Sequence, residues 1–167
     1  MVCSFTGHRQ IEPELRIALL ELIGRAIQYA YNEGCREFIS GGALGFDTLV
    51  AREVIRFRIT HRDVRLILAL PCVNQDEKWS QRQKDAYNYT LSSADEVIYI
   101  SDSYTATCMA ERNAFLAQRA DILVAYLGKQ RSGAAQTVRM AEKLGKRIYN
   151  LYPALHKECG VADKNEH

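Results

Sequence analysis

The run Leu66-Ile67-Leu68-Ala69-Leu70 is apolar at every position, so neither face of a strand built from it can meet water. A strand with one wet face alternates polar and apolar residues, whereas an unbroken run belongs inside a sheet covered on both sides, usually a parallel one. The rest of the chain agrees. Short β-branched or apolar segments at residues 2–5, 37–40, 65–70, 96–100, 121–127 and 147–151 alternate with stretches whose apolar residues recur every 3.6 positions. The expected fold is therefore α/β and Rossmann-like, an open, largely parallel sheet of about six strands with helices on both faces.

Helix signals fill the gaps between these strands. Pro13 suits a first turn; Leu15, Leu19, Leu22, Ile23, Ala26, Ile27 and Ala30 then share one face, and Gly34 stops the helix. A second helix buries Phe46, Leu49, Val50, Val54 and Phe57. Pro71 is expected to end the third strand, and a helix is expected to hold Trp79 with Tyr87 and Leu91, the tryptophan serving packing more than function. Further helices are expected over residues 107–119 and, after a small-residue loop over 128–137, through Leu144 to a stop at Gly145. The expected organisation is a single domain over residues 1–151 and a polar, loosely held tail over 152–167.

Composition excludes several function classes. With 22 basic and 20 acidic residues and no like-charge run, nothing in the chain demands nucleic acid. Five scattered cysteines without a C-x-x-C pair read as reduced thiols, with no metal cluster, and no segment reads as a leader or a membrane span. A cytoplasmic protein is expected, with no membrane partner. Its apolar helix faces permit a homo-oligomer.

In an open parallel sheet the loops leaving the strands' carboxyl ends gather on one edge, and ligands bind there where the strand order reverses. Polar and glycine residues concentrate in those loops: Thr6-Gly7-His8-Arg9, Gly41 to Asp47, Asn74-Gln75, Ser101 to Thr105 followed by Arg112, and Gly133 to Thr137. The opposite connections, at Gly34 and Gly145, are short helix stops. Among these loops Ser40-Gly41-Gly42-Ala43-Leu44-Gly45-Phe46-Asp47 reads as a phosphate cradle. Its glycines suit positive φ or close approach of a ligand, and the following helix directs its N–H groups back into the loop. Asp47, in the first helical turn, either caps that helix or accepts a hydrogen bond from a ribose hydroxyl.

A dinucleotide-binding Rossmann domain would carry G-x-G-x-x-G after its first strand, and a P-loop would carry G-K-[ST]; this chain has neither. Five motifs in order, T-G-H-R at Thr6–Arg9, S-G-G-A-L-G-F-D at Ser40–Asp47, P-C-V-N-Q at Pro71–Gln75, M-A-E-R-N at Met109–Asn113 and S-G-A-A-Q-T at Ser132–Thr137, resemble the YpsA-like branch of the SLOG superfamily over residues 2–150. The resemblance implies a nucleotide-derived small molecule, such as an ADP-ribose-like or nucleotide-sugar ligand, with the chain as its sensor or effector and no cofactor assigned. Gly41, Gly42 and Gly45 would surround its phosphate and Arg9 and Arg112 would neutralise it. Thr6, next to Gly7, and Ser132 and Thr137, beside Gly133, would donate hydroxyls. Asp47 would take the ribose, Gln75 and Asn113 a base or sugar edge, and Trp79 or Tyr104 would stack on the base.

Two other branches offer alternatives. The LOG-type phosphoribohydrolases, which split the N-glycosidic bond of a nucleoside monophosphate, pair an arginine, matched by Arg112, with a glutamate. Met140 stands at the glutamate's position and Glu142, two residues on, points away, so no catalytic residue is assigned. DprA-like relatives bind single-stranded DNA, for which Arg9, Arg112, Lys129 and Arg131 with Trp79 and Tyr104 offer a small patch, against which the near-neutral charge argues.

Overall fold

The computed structural model describes residues 1–128 and 131–156. Lys129, Gln130, Cys159 and the expected tail from residue 157 lie outside the described residues. Strand β3 (Arg65–Cys72) displays the reason for its apolar run. Leu66, Leu68 and Leu70 enter the larger core with helices α1 (Arg16–Asn32) and α2 (Phe46–Arg58), while Ile67 and Ala69 face the other side, against Leu116 of helix α4 (Cys108–Arg119). Both faces are dry, as the sequence requires.

All six strands are parallel. Besides β3 they are β1 (Val2–Gly7), β2 (Glu37–Ser40), β4 (Glu96–Ser101), β5 (Ile122–Tyr126) and β6 (Arg147–Asn150), in the spatial order β4-β3-β2-β1-β5-β6. Helices α1, α2 and α3 (Gln81–Ser93) cover one face of the sheet; α4 and α5 (Gly133–Lys143) cover the other, where Ala117, Ala120 and Ala141 pack on Leu123. From β1 to β4 the chain steps outward in one direction, and then it returns to lay β5 on the free side of β1. The order thus reverses between β1 and β5, and their carboxyl ends leave a crevice there.

Several expected boundaries change, four of them for a plain local reason. β3 runs through Pro71 to Cys72, because β2 ends opposite Leu68 and no ladder acceptor there awaits the N–H that proline lacks. Trp79 lies in the turn ahead of α3, not inside it: Ser80 caps that helix, accepting from the Gln83 N–H while the Gln83 side chain accepts from the Ser80 N–H. α5 begins at Gly133, so residues 133–137 are helical and not a loop; Ser132 Oγ accepts the Ala135 N–H at 3.1 Å and fixes the start. The stretch from Tyr152 is not loose at its beginning. A short helix α6 (Tyr152–His156) stacks Tyr152 on His156, ring centroids 3.7 Å apart, and lays both against Tyr126. Among the described residues no helix is long and apolar enough to cross a membrane.

Candidate functional site

A cleft of about 990 Å³ opens at the β1–β5 crevice, at the upper end of the size range of small-molecule sites. One wall comes from β1 and the turn after it, with Thr6, Gly7, His8 and Arg9, and a second from Ala43 and Asp47. α4 supplies Met109, Arg112 and Asn113; the start of α5 supplies Arg131, Ser132, Gly133 and Ala134; Tyr126 and Tyr152 close the side.

The glycine loop folds on itself at this edge. Gly42 N–H donates to Ser40 Oγ at 3.3 Å, Ala43 N–H to Asp47 Oδ2 at 3.1 Å and Phe46 N–H to the His8 carbonyl at 3.0 Å. Gly45 has φ of +79°, and a Cβ there would lie 2.2 Å from the Arg9 carbonyl oxygen, so the residue is glycine because the T-G-H-R turn presses on it. A Cβ on Gly41 would fall 2.8 Å from both Arg112 Nη1 and Asp47 Oδ2. Gly41, Gly42 and Gly45 therefore make room for protein neighbours, and none of the three lines the cleft. Asp47 does not cap α2, whose N-cap is Gly45; its Oδ2 instead closes the loop on Ala43.

Arg112 is buried, 5% exposed. Its Nη1 donates to the Gly41 carbonyl and its Nε to Asn113 Oδ1 at 3.0 Å; Asn113 Nδ2 then donates to the Gly133 carbonyl at 3.4 Å and to Gln136 Oε1 at 3.3 Å. One chain of hydrogen bonds thus crosses the floor of the cleft from the glycine loop to α5. Nε and one N–H of Nη1 are so engaged, while Nη2 has no hydrogen-bond partner among the described residues.

Asp47 is 5% exposed, and burial pushes its carboxyl up from 3.8 to about 6, against the pull of Arg112, the Ala43 N–H and Arg9. Its Oδ1 is buried with no hydrogen-bond partner among the described residues. Burial also draws the Arg112 guanidinium down from its ordinary value, with Asp47 opposing. Desolvation is the largest influence on both groups because each is only 5% exposed.

At the opposite wall, α5 presents its N-terminus to the cleft. Ser132 takes the Ala135 N–H with its hydroxyl and the Gln136 N–H with its carbonyl, which leaves the N–H groups of Gly133 and Ala134 without an acceptor among the described residues. The remaining expected residues sit elsewhere. Thr137 is fully buried and donates to the Gly133 carbonyl. Gln75 is tied to the Gly42 carbonyl and Tyr87, Trp79 packs edge-on against Tyr87, and Tyr104, 69% exposed, lies outside the cleft lining. Met140, at the position of the glutamate used by phosphoribohydrolases, packs beside Ala141 and Ile148 on the β6 side.

Tyr126 and Tyr152 were not among the expected site residues. Tyr126 is the last residue of β5 at the carboxyl edge, so the rule that selects Thr6 on β1 selects it too; Tyr152 enters only because α6 turns back over the crevice. His8 Nε2 accepts the Gly128 N–H at 2.8 Å, which joins the turn after β1 to the segment after β5.

The architecture has solved counterparts. DNA processing protein A from Streptococcus pneumoniae superposes with a TM-score of 0.63 at 16% identity, over 96% of this chain and 56% of that one. The same protein from Helicobacter pylori, described for its single-stranded DNA binding mode, gives 0.63 and 16% over 96% of this chain and 73% of its own. At this identity the likeness is one of fold. In sequence the chain is 26% identical over 166 residues to the SPbeta prophage-derived protein YoqJ of Bacillus subtilis (strain 168), covering 91% of this chain and 93% of the relative. A UPF0398 protein of Bacillus cereus (strain G9842) is 27% identical over 130 residues, covering 75% and 71%. The YpsA profile, described as the YspA SLOG family, matches residues 5–153, from within the first strand to the start of the helix that closes the cleft, and the chain belongs to that family.

Proposed function

We propose that the cleft binds a nucleotide or nucleotide derivative, such as an ADP-ribose-like or nucleotide-sugar molecule, and that the protein acts as its sensor or effector. The observation that carries this reading is the convergence of Arg9, Arg112 and Arg131 with the N-terminus of α5 on one cleft at the strand-order reversal. The phosphate would rest on the Gly133 and Ala134 N–H groups, with Arg9 and Arg131 reaching it and Arg112 adding field from the floor. Thr6 lies within reach of the same region, and Asn113 holds the α5 entrance in place. The base would lie along Tyr126 and Tyr152. The glycine loop contributes shape, setting Ala43 and Asp47 against the ligand.

Thermal unfolding against AMP, ADP-ribose, NAD, nucleotide sugars and oligonucleotides tests this. A ligand at 100 times its dissociation constant adds about 2.7 kcal/mol, roughly 5 to 11 °C for a chain of this size. Arg9→Ala with Arg131→Ala should abolish the shift while leaving the unliganded melting temperature near wild type. No shift with any nucleotide refutes the reading. Single-stranded DNA is the second reading, favoured by the exposed Arg9, Arg131 and Tyr104 on one edge and by the DNA processing proteins that share the fold. Affinity for an oligonucleotide that falls steeply with salt, without saturation by mononucleotides, selects it.

A further inference from the structure

We infer that the outer edge of β4 is a self-association surface, on which the β4 of a second copy pairs antiparallel about a two-fold axis and joins the two sheets. β4 lies at one end of the strand order, and among the described residues no strand pairs with its outer side. Which of its backbone groups are open follows from the ladder. The Arg65 N–H donates to the Arg36 carbonyl, so Arg65, Ile67 and Ala69 turn their backbone groups toward the β2 side, and Leu66, Leu68 and Leu70 turn theirs toward β4. With Ile67 opposite Glu96 and Ala69 opposite Ile98, the ladder to β3 takes the N–H and C=O of Glu96, Ile98 and Ile100. Those of Val97, Tyr99 and Ser101 point outward.

An apolar, uninterrupted strand edge is a template for another strand, and folded chains that stay apart blunt theirs with lysine, proline, bulges or short length. Val97-Ile98-Tyr99-Ile100 has none of these devices, and Tyr99 is 42% exposed. β6, at the other end of the sheet, is built differently. It is four residues long, its first residue Arg147 is paired with Glu33, and the Asn150 side chain is engaged with the Leu127 N–H and carbonyl. The occupant of the β4 edge is a second copy because the edge is complementary to itself. A two-fold through Tyr99 places Tyr99 opposite Tyr99 and Val97 opposite Ser101, and both N–H···O bonds form at each pair, about six backbone hydrogen bonds in all. The same register sets Ile98 of each copy opposite Ile100 of the other, on the face covered by α4 and at the closer, non-hydrogen-bonded spacing. The like-charge encounter in this register, Glu96 opposite Asp102, falls at its end, where Arg65 lies 3.4 Å from Glu96 and supplies the counter-charge.

Sedimentation equilibrium of the intact protein from micromolar to submillimolar concentration tests the pairing, and amide hydrogen exchange read by NMR over the same range tests the register. The expected result is a reversible dimer in which the Val97, Tyr99 and Ser101 amides exchange at least about 10-fold more slowly than in the dilute monomer. Those of Ile98 and Ile100, already bonded to β3, change little. Tyr99→Lys sets two ammonium groups opposite each other at the axis and should weaken the dimer roughly 10-fold or more while the chain stays folded. A protein that sediments as a monomer throughout overturns the inference. So does a dimer whose Val97, Tyr99 and Ser101 amides exchange as fast as in the monomer, or one that a folded Tyr99→Lys leaves undiminished. The exchange measurement uses the wild-type chain, so a poorly folding variant does not remove the test.

Discussion

Replacing Asp47 by asparagine removes a charge that the folded chain holds at a cost. The carboxyl titrates at about 6 in the folded protein and at 3.8 when exposed. Below the lower value both folded and unfolded chains carry the proton. As the pH rises through it the unfolded chain releases its proton first, so unfolding is favoured progressively until the folded chain also ionises. Each pH unit of separation is worth about 1.4 kcal/mol, or about 3 kcal/mol once the medium is above both values. Asp47 is buried, so solvent screening does not dilute the figure. The asparagine of D47N would be an uncharged isostere whose amide oxygen keeps the Ala43 hydrogen bond, and it stands in for the protonated acid. The cost of a buried amide is the same at every pH and cancels when the variant is followed across a pH series. The melting-temperature difference between D47N and wild type should therefore grow in favour of the variant between about pH 4 and pH 6 and then level off. At 2–4 °C per kcal/mol for a chain of this length, the total change is about 6 to 12 °C. Differential scanning calorimetry of both proteins in matched buffers measures it. A difference that stays flat with pH, or that turns against D47N as the pH rises, would mean that Arg112 and Arg9 hold Asp47 ionised as readily in the fold as in water, and the desolvation argument would fail.

Gly45→Ala, with φ of +79° and a Cβ 2.2 Å from the Arg9 carbonyl oxygen, should lose about 2–4 kcal/mol in urea unfolding; a change within about 0.5 kcal/mol would show that the two turns can separate freely. Arg112→Ala breaks the hydrogen-bond chain between the Gly41 carbonyl and Asn113 and should cost about 3 kcal/mol. Arg112→Lys should recover less than half of that, because an ammonium cannot reproduce the fork that spans both acceptors. Tyr152→Ala removes the ring stacked on His156 and packed against Tyr126 and should cost about 2 kcal/mol while widening the cleft; an unchanged urea midpoint would show that α6 is not part of the folded unit.

Much of the fold was legible because burial on two faces leaves a direct trace in composition. The run over residues 66–70 has no other home than a central strand, and α1 and α5 stop where Gly34 and Gly145 take positive φ, 112° and 70°. Pro71 misled because proline's missing donor matters only where a neighbouring strand offers an acceptor, and the length of β2 is a property of the sheet, not of the residues around Pro71. The start of α5 was hidden for a similar reason: Ser132 reads equally as loop or cap until the Ala135 N–H is seen to point at it.

The site was legible as an edge but not as a set of contacts, and the glycine loop shows why. Glycine reports that something must come close; it does not say what. At Gly45 the approaching group is the Arg9 backbone, and at Gly42 it is Leu70, whose side chain would lie 2.2 Å from an added Cβ. The same pressure that makes these positions glycine also uses the loop's amides, since the T-G-H-R turn that excludes a side chain at Gly45 supplies the His8 carbonyl that takes the Phe46 N–H. In the reading proposed above the phosphate lies at the α5 terminus, where the Gly133 and Ala134 N–H groups have no acceptor among the described residues. The glycines still matter to the chemistry. By letting two turns meet backbone to backbone they bury Asp47 beside Arg112, and that burial, more than any amide the loop offers, gives this edge of the sheet its unsatisfied carboxylate.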